Sequence, residues 1–163
     1  YKSYQEVADI LRVQASDVST KLKQNLETLE EYKLKISNFR KDELIKLTQD
    51  YSAKSSKISK YNVIIESISL ENTNESKEVA SNIVNNFDVD ICILFSNISG
   101  KTTIVGSTKT NVDLDISIIT NDLSSLYGGG ASKDPNLSIG GGPGKYETSK
   151  AIDVAIKSLT KLL

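Results

Sequence analysis

Residues 1–61 contain neither glycine nor proline, whereas all nine glycines and both prolines of the 163-residue chain lie beyond them. A segment of that length without either breaker is expected to be helical, because these two residues cost a helix most. Ser3 and Glu6 have the spacing of a capping box for a short helix over 4–13, in which Val7, Ile10 and Leu11 share a face. A second start follows at Ala15-Ser16-Asp17. From there Val18, Leu22, Leu26, Leu29, Ile36, Arg40, Leu44, Leu47, Tyr51 and Ile58 recur at steps of three, four or seven. That is a one-sided stripe sustained over about 40 residues.

Such a helix would be roughly 60 Å long, more than a globule of ~100 residues can cover. Its stripe is therefore expected to meet the short first helix in part and a second polypeptide in part. An antiparallel hairpin within one chain is one reading; coiled-coil contact with another copy, added to that hairpin, is the other. The stripe is wider than a strict heptad seam, so register and strand number are not legible. Leu22, Leu26, Leu29, Ile36, Leu44, Leu47 and Tyr51 are the candidate dimer contacts.

The rest of the chain changes character near residue 61, and the sequence divides into a helical part, 1–61, and a globular part, 62–163. Residues 62–68 form a β-branched run and predict a strand. Asn72 or Thr73 can cap a helix whose Val79, Ala80, Ile83, Val84 and Phe87 fall on one face. Residues 90–96 are apolar on both faces and predict a central strand beside the first; 101–107 return after a turn at 97–100. Over 112–127 strand-like alternation competes with the helical spacing of Ile116, Ile119, Leu123 and Leu126; helix, capped by Asp113 or Asp115, is the preferred reading. Residues 146–163 predict an amphipathic helix. The fold class expected is α/β (α+β): a long helical segment, then a sheet with helices packed on it.

Composition removes much chemistry. With no His, no relay through imidazole and no zinc site of the usual Cys/His kind can be built. The lone Cys92 lies in an apolar run and reads as a core thiol. The formal charge of −1 gives no global pull towards nucleic acid, although it divides into +3 over 1–61 and −4 beyond. No apolar stretch is long enough to span a bilayer and no secretory signal pattern opens the chain, so a soluble, cytoplasmic protein is expected. A first residue of Tyr and no Met anywhere suggest a piece of something longer.

Seven of the nine glycines lie within residues 128–144: Gly128, Gly129 and Gly130, then Gly140, Gly141, Gly142 and Gly144. Glycines let a backbone approach phosphate and present N–H groups, and the second cluster leads towards a helix start. They also simply permit tight turns and close packing. The spacing fits neither a Walker A loop nor a dinucleotide fingerprint, so no nucleotide cofactor is implied.

With Lys133, Pro135, Leu137 and Ser138 between its two glycine runs, this stretch resembles the signature of the DHHA1-type domain at the C-terminus of alanyl-tRNA synthetases. The short helix over residues 6–13, a break and a long charged helix resemble the segment that precedes that domain. Ala131 and Ser132 interrupting the glycines, Lys133 where Arg is commoner, and Ile139 in a usually polar place fit a divergent, archaeal-type relative. The resemblance implies a non-catalytic appendage that joins two synthetase chains and holds tRNA(Ala) by its outer corner, where the D and T loops meet. Alanine attachment and editing would take place elsewhere in the parent ligase, which would also hold any ATP or zinc; this part implies no cofactor. A purely structural dimerisation module and an accessory substrate domain of a DHH-type phosphoesterase are the alternatives. Candidate tRNA contacts are Lys54, Lys57, Lys101, Lys109, Lys133, Lys145 and Lys150 with the glycines at 128–130 and 140–142. With both arginines in the helical half, shape and backbone reading is expected rather than reading of bases.

Overall fold

The structure is a computed structural model and describes residues 2–163. Its contacts group the chain into two compact units, 1–43 and 44–163. The first contains helix α1 (Lys2–Leu11), a 3-10 turn (Ala15–Asp17) and most of helix α2 (Val18–Ser52). Here α1 begins at Lys2, so Ser3 lies inside the helix rather than capping it. The helix closes through Val13 N–H donating to the Ala8 carbonyl, with Arg12 at φ 54°, and Ala8 and Val18 are buried. Within this unit the large apolar side chains of α2 beyond Val18 are exposed: Leu22 47%, Leu29 47% and Ile36 68%, with Leu26, Tyr32, Leu34 and Phe39 likewise open.

The second unit begins with the last turns of α2 and continues through strands β1 (Ser56–Ile58) and β2 (Tyr61–Ser67), helix α3 (Thr73–Asn86), strands β3 (Ile91–Ile98) and β4 (Lys101–Thr108), helix α4 (Ile116–Ser125), strand β5 (Leu137–Gly142) and helix α5 (Thr148–Leu162). The five strands lie in sequence order, with β2 and β3 parallel and every other pair antiparallel. A parallel pair needs a crossover, which α3 supplies.

Each face of the sheet has its own core. On one, Ile64, Cys92, Leu94 and Val105 meet α3 through Val79, Ala80, Ile83 and Val84. On the other, Val63, Ile91, Ile93, Phe95 and Ile104 meet α4 through Ile116, Ile119 and Leu123, and α5 through Ala151, Ala155 and Leu159. The period-2 alternation of β3 sends successive side chains to opposite cores, which is why that strand is apolar throughout. Burial pushes the Cys92 thiol well above its ordinary range, in keeping with an inert core position.

Two sequence expectations are corrected here. The stripe does not run on to residue 58: α2 ends at Ser52, and Ile58 belongs to β1, which turns through Ser59 (φ 56°) to pair Ile58 with Tyr61. Leu44, Leu47 and Tyr51 are not open for contact with another copy. Leu44 is buried in the α3-side core, with Leu47 and Tyr51 packed against it, and Tyr51 Oη donates to the Ser67 carbonyl at 3.2 Å. By their contacts the two compact units divide at 43/44.

The starts of α3 and α4 follow the expected chemistry. Asn72 caps α3 by accepting from Glu75 N–H at 3.0 Å, and the Glu75 carboxylate accepts from Glu71 N–H at 2.9 Å. Asp115 caps α4, accepting from both the N–H and the hydroxyl of Ser117. The helical reading of 112–127 holds for Ile116–Ser125.

Candidate nucleic-acid interface

The second glycine cluster is not a loop. Gly140, Gly141 and Gly142 are the end of β5 and pair with Ile104, Thr103 and Thr102 of β4. On the outer side of β5, residues 128–132 lie flush against it: Ala131 bridges to Gly140, Ser132 N–H donates to the Ile139 carbonyl at 2.8 Å, and Gly141 N–H donates to the Gly130 carbonyl. Side chains have no room between these two strips of backbone. A Cβ on Gly140 would strike the Ser124 hydroxyl, and one on Gly142 would strike the Tyr127 carbonyl.

Several N–H groups that could face phosphate are spent internally. Gly128 donates to Ser125, Gly129 to Ser124, Gly141 to Gly130 and Gly144 to Tyr127. The glycines therefore act first as packing residues, and they do not form a phosphate-wrapping loop.

What they leave is a shallow groove of about 550 Å³ at the carboxyl end of β3 and the start of β4. Its walls are Thr73 at the start of α3, Ile98, Lys101 and Thr103 from the β3–β4 hairpin, and Gly130, Ile139, Gly141 and Pro143. Ligands of open α/β sheets favour the carboxyl ends of parallel strands. The first turn of a helix adds N–H groups without intrahelical partners and a positive dipole end. Lys101 is exposed and makes no ion pair among the described residues, and Lys145 follows Gly144, whose carbonyl accepts from Thr102 Oγ1 at 2.6 Å. Those two lysines share this end of the sheet.

The remaining candidate lysines do not gather there. Lys109 follows the opposite end of β4, about 27 Å from Lys101 at 3.4 Å per residue, and faces Asp90 at 3.7 Å. Lys133, by its register beside Ser138, also lies towards that end, next to Asp115, Ser117 and Asp122. Lys150 is paired with Glu147 at 2.6 Å. Lys54 sits over the Tyr51 ring at 4.1 Å, and Lys57 lies on β1, the edge strand farthest from β5. Of the seven candidate lysines, Lys101 lines the glycine groove, and Lys145 lies at the same end of the sheet, next to Gly144.

Sequence reasoning missed the aromatic side of this end. Tyr146 packs on Phe95 with centroids 5.6 Å apart and rings tilted by 43°, and meets Tyr127 edge-on at 6.5 Å. Its hydroxyl is 2.6 Å from Ser67 Oγ. Burial first, then the neighbouring Tyr146, holds the Tyr127 hydroxyl above its ordinary value, so it stays neutral at physiological pH. The signal was present in the chain: Tyr127 directly precedes Gly128, and Tyr146 follows Gly144 by two residues. No group of His, Cys, Asp and Glu suited to a metal ion occurs among the described residues, and no described helix is long and apolar enough to cross a membrane.

No family model matches the sequence, and no curated protein matches it. Among solved structures the chain is similar to an exopolyphosphatase-related protein from Bacteroides fragilis, at 15% identity and a TM-score of 0.47, over 73% of this chain and 35% of that one. It is also similar to the C-Ala domain from Aquifex aeolicus alanyl-tRNA synthetase, at 14% identity and a TM-score of 0.59, over 66% of this chain and 98% of that domain. At such identity the likeness is one of architecture: across about two thirds of its length, this chain has the fold of an alanyl-tRNA synthetase C-Ala domain.

Proposed function

We propose that the chain is a non-catalytic, RNA-binding appendage of an alanyl-tRNA synthetase-type enzyme. It would hold tRNA(Ala) in the cytoplasm while alanine attachment and editing proceed on other parts of the parent ligase. The observation that carries this reading is the groove at the carboxyl end of β3, where Lys101, the start of α3 and the glycine-thinned backbone of β5 meet. Backbone without side chains lets a phosphate strand approach closely, and a nearby lysine offers a point charge with no demand for a particular base. The C-Ala fold supports the same reading. The test is tRNA binding by the intact chain and by Lys101→Glu and Lys145→Glu. Each substitution weakens binding severalfold while Lys57→Glu, on the far edge of the sheet, does not; equal effects from all three would remove the groove from the account.

A second role, self-association, is supported by the apolar stripe of α2. Leu22, Leu26, Leu29 and Ile36 stay exposed on the first unit, at 47–68%. Apolar side chains repeated along one helix face are buried in most folded proteins, and a second copy pairing along this face would bury them.

A further inference from the structure

We infer that Tyr127 and Tyr146 form a stacking platform for an unpaired RNA base, at the same end of the sheet as the phosphate groove but on its other face; this rests on the RNA-binding reading above and gives it a second kind of contact.

The two rings stand at the same end of the sheet as Lys101 and Lys145, on the opposite face from the groove. Tyr146 is fixed from three sides: its hydroxyl by Ser67, its ring by Phe95, and its edge by Tyr127. Tyr127 is fixed through its backbone. Its carbonyl accepts from Gly144 N–H at 3.0 Å, and its own N–H donates to the Ser124 carbonyl at 3.0 Å. The glycines make this placement possible, since a Cβ at Gly142 would collide with the Tyr127 carbonyl and one at Gly144 would crowd the Tyr127 backbone. The second cluster thus leaves room for the Tyr127 backbone beside it.

Neither ring is fully covered; both are half-buried. The Tyr127 hydroxyl makes no hydrogen bond among the described residues, so nothing in the protein requires a tyrosine rather than another apolar side chain there. Half-buried aromatic rings, with the exposed Lys145 next to Tyr146 in the chain, match what an unpaired base needs: a π-face for stacking and a cation for the adjoining phosphate. Duplex RNA keeps its bases stacked on each other, so the ligand chemistry is an unpaired loop nucleotide, whatever its base.

The experiment uses the intact chain with hexauridylate and with tripolyphosphate, which has charge and no base. Tyr127→Leu fills the space without a ring, and Tyr127→Phe keeps the ring. The ratio of hexauridylate to tripolyphosphate affinity is expected to fall about tenfold in Tyr127→Leu and to stay within twofold in Tyr127→Phe. Circular dichroism and thermal melting confirm that each variant is folded; should Tyr127→Leu unfold, Tyr146→Leu takes its place. An unchanged ratio in the leucine variant overturns the platform, and the RNA-binding reading then survives if Lys101→Glu still weakens tRNA binding. Equal losses for both ligands also overturn it, since they mark a structural effect. No affinity of the wild-type chain for any RNA overturns the platform and the RNA reading together.

Discussion

The backbone of Gly129 lies directly against the carbonyl of Gly141, so that a Cβ at position 129 would fall inside that oxygen. This contact joins the turn after α4 to the end of β5, and it gives the glycine stretch a cost that can be measured. Gly129→Ala is expected to destabilise the fold by about 2–3 kcal/mol, as overpacking against unyielding backbone does. Gly130→Ala, whose Cβ would meet only Asn121 Oδ1 at 3.5 Å, is expected to cost less than about 0.5 kcal/mol. Denaturant unfolding of the two variants checks the contrast.

The apolar stripe of α2 separates into a covered part and an open part. Leu44→Ala removes a side chain buried in the α3-side core and is expected to cost about 2–5 kcal/mol at any protein concentration. Leu29→Asp, at a 47% exposed position, is expected to leave the sheet unit's stability unchanged and to convert a self-associating chain into a monomer by light scattering. A Leu29→Asp chain that remained associated would place the contact elsewhere.

Asn72 accepts from the Glu75 N–H, and this cap fixes where α3 begins at the edge of the groove. Asn72→Ala is expected to cost about 1 kcal/mol. Asn72→Asp keeps the acceptor, adds a negative charge at the helix start and is expected to preserve stability. Thermal melting of the pair distinguishes a capping role from a packing one.

Asp134 accepts from the N–H groups of Asn136 (2.9 Å) and Leu137 (3.0 Å), and these bonds hold its carboxyl below the ordinary carboxylate value. Because the folded value is depressed, the stabilising contribution is fully present above the unfolded value, and it is lost as pH falls through the folded one. Asp134→Asn keeps an oxygen acceptor but no titration, so it is expected to remove part of the acid-side slope of stability. Asp134 is exposed, and the effect is correspondingly small; an NMR titration of its carboxyl reads the depression directly.

Much of the fold was legible because side-chain periodicity and burial agree. The α3 face (Val79, Ala80, Ile83, Val84) and the two-sided apolarity of β3 could each have only one reading. The end of α2 and the strand β1 were not legible. Ile58 continues the three-and-four spacing of the helix, and the Ser59-Lys60 turn carries no glycine or asparagine to announce a hairpin, although Ser59 adopts a positive φ. The glycine strand was opaque for a related reason: residues without side chains have no pattern to read, and their register is set by backbone packing against 128–132. Of the site, Lys101 and the glycines were visible in sequence. The placement of Lys145 at the sheet end of Lys101, the scatter of the other lysines and the pairing of Tyr127 with Tyr146 depend on which sheet end each residue reaches, and that is a property of topology.

The most direct test of the central claim is the affinity of the intact chain for a tRNA(Ala) transcript measured across salt concentration. With Lys101 and Lys145 meeting the backbone beside a helix start, log K is expected to fall linearly with log salt, with a slope of about −2 to −3. That slope is expected to shrink by about one unit in Lys101→Glu. No measurable affinity at low salt, or an affinity indifferent to salt and to Lys101, would contradict the account.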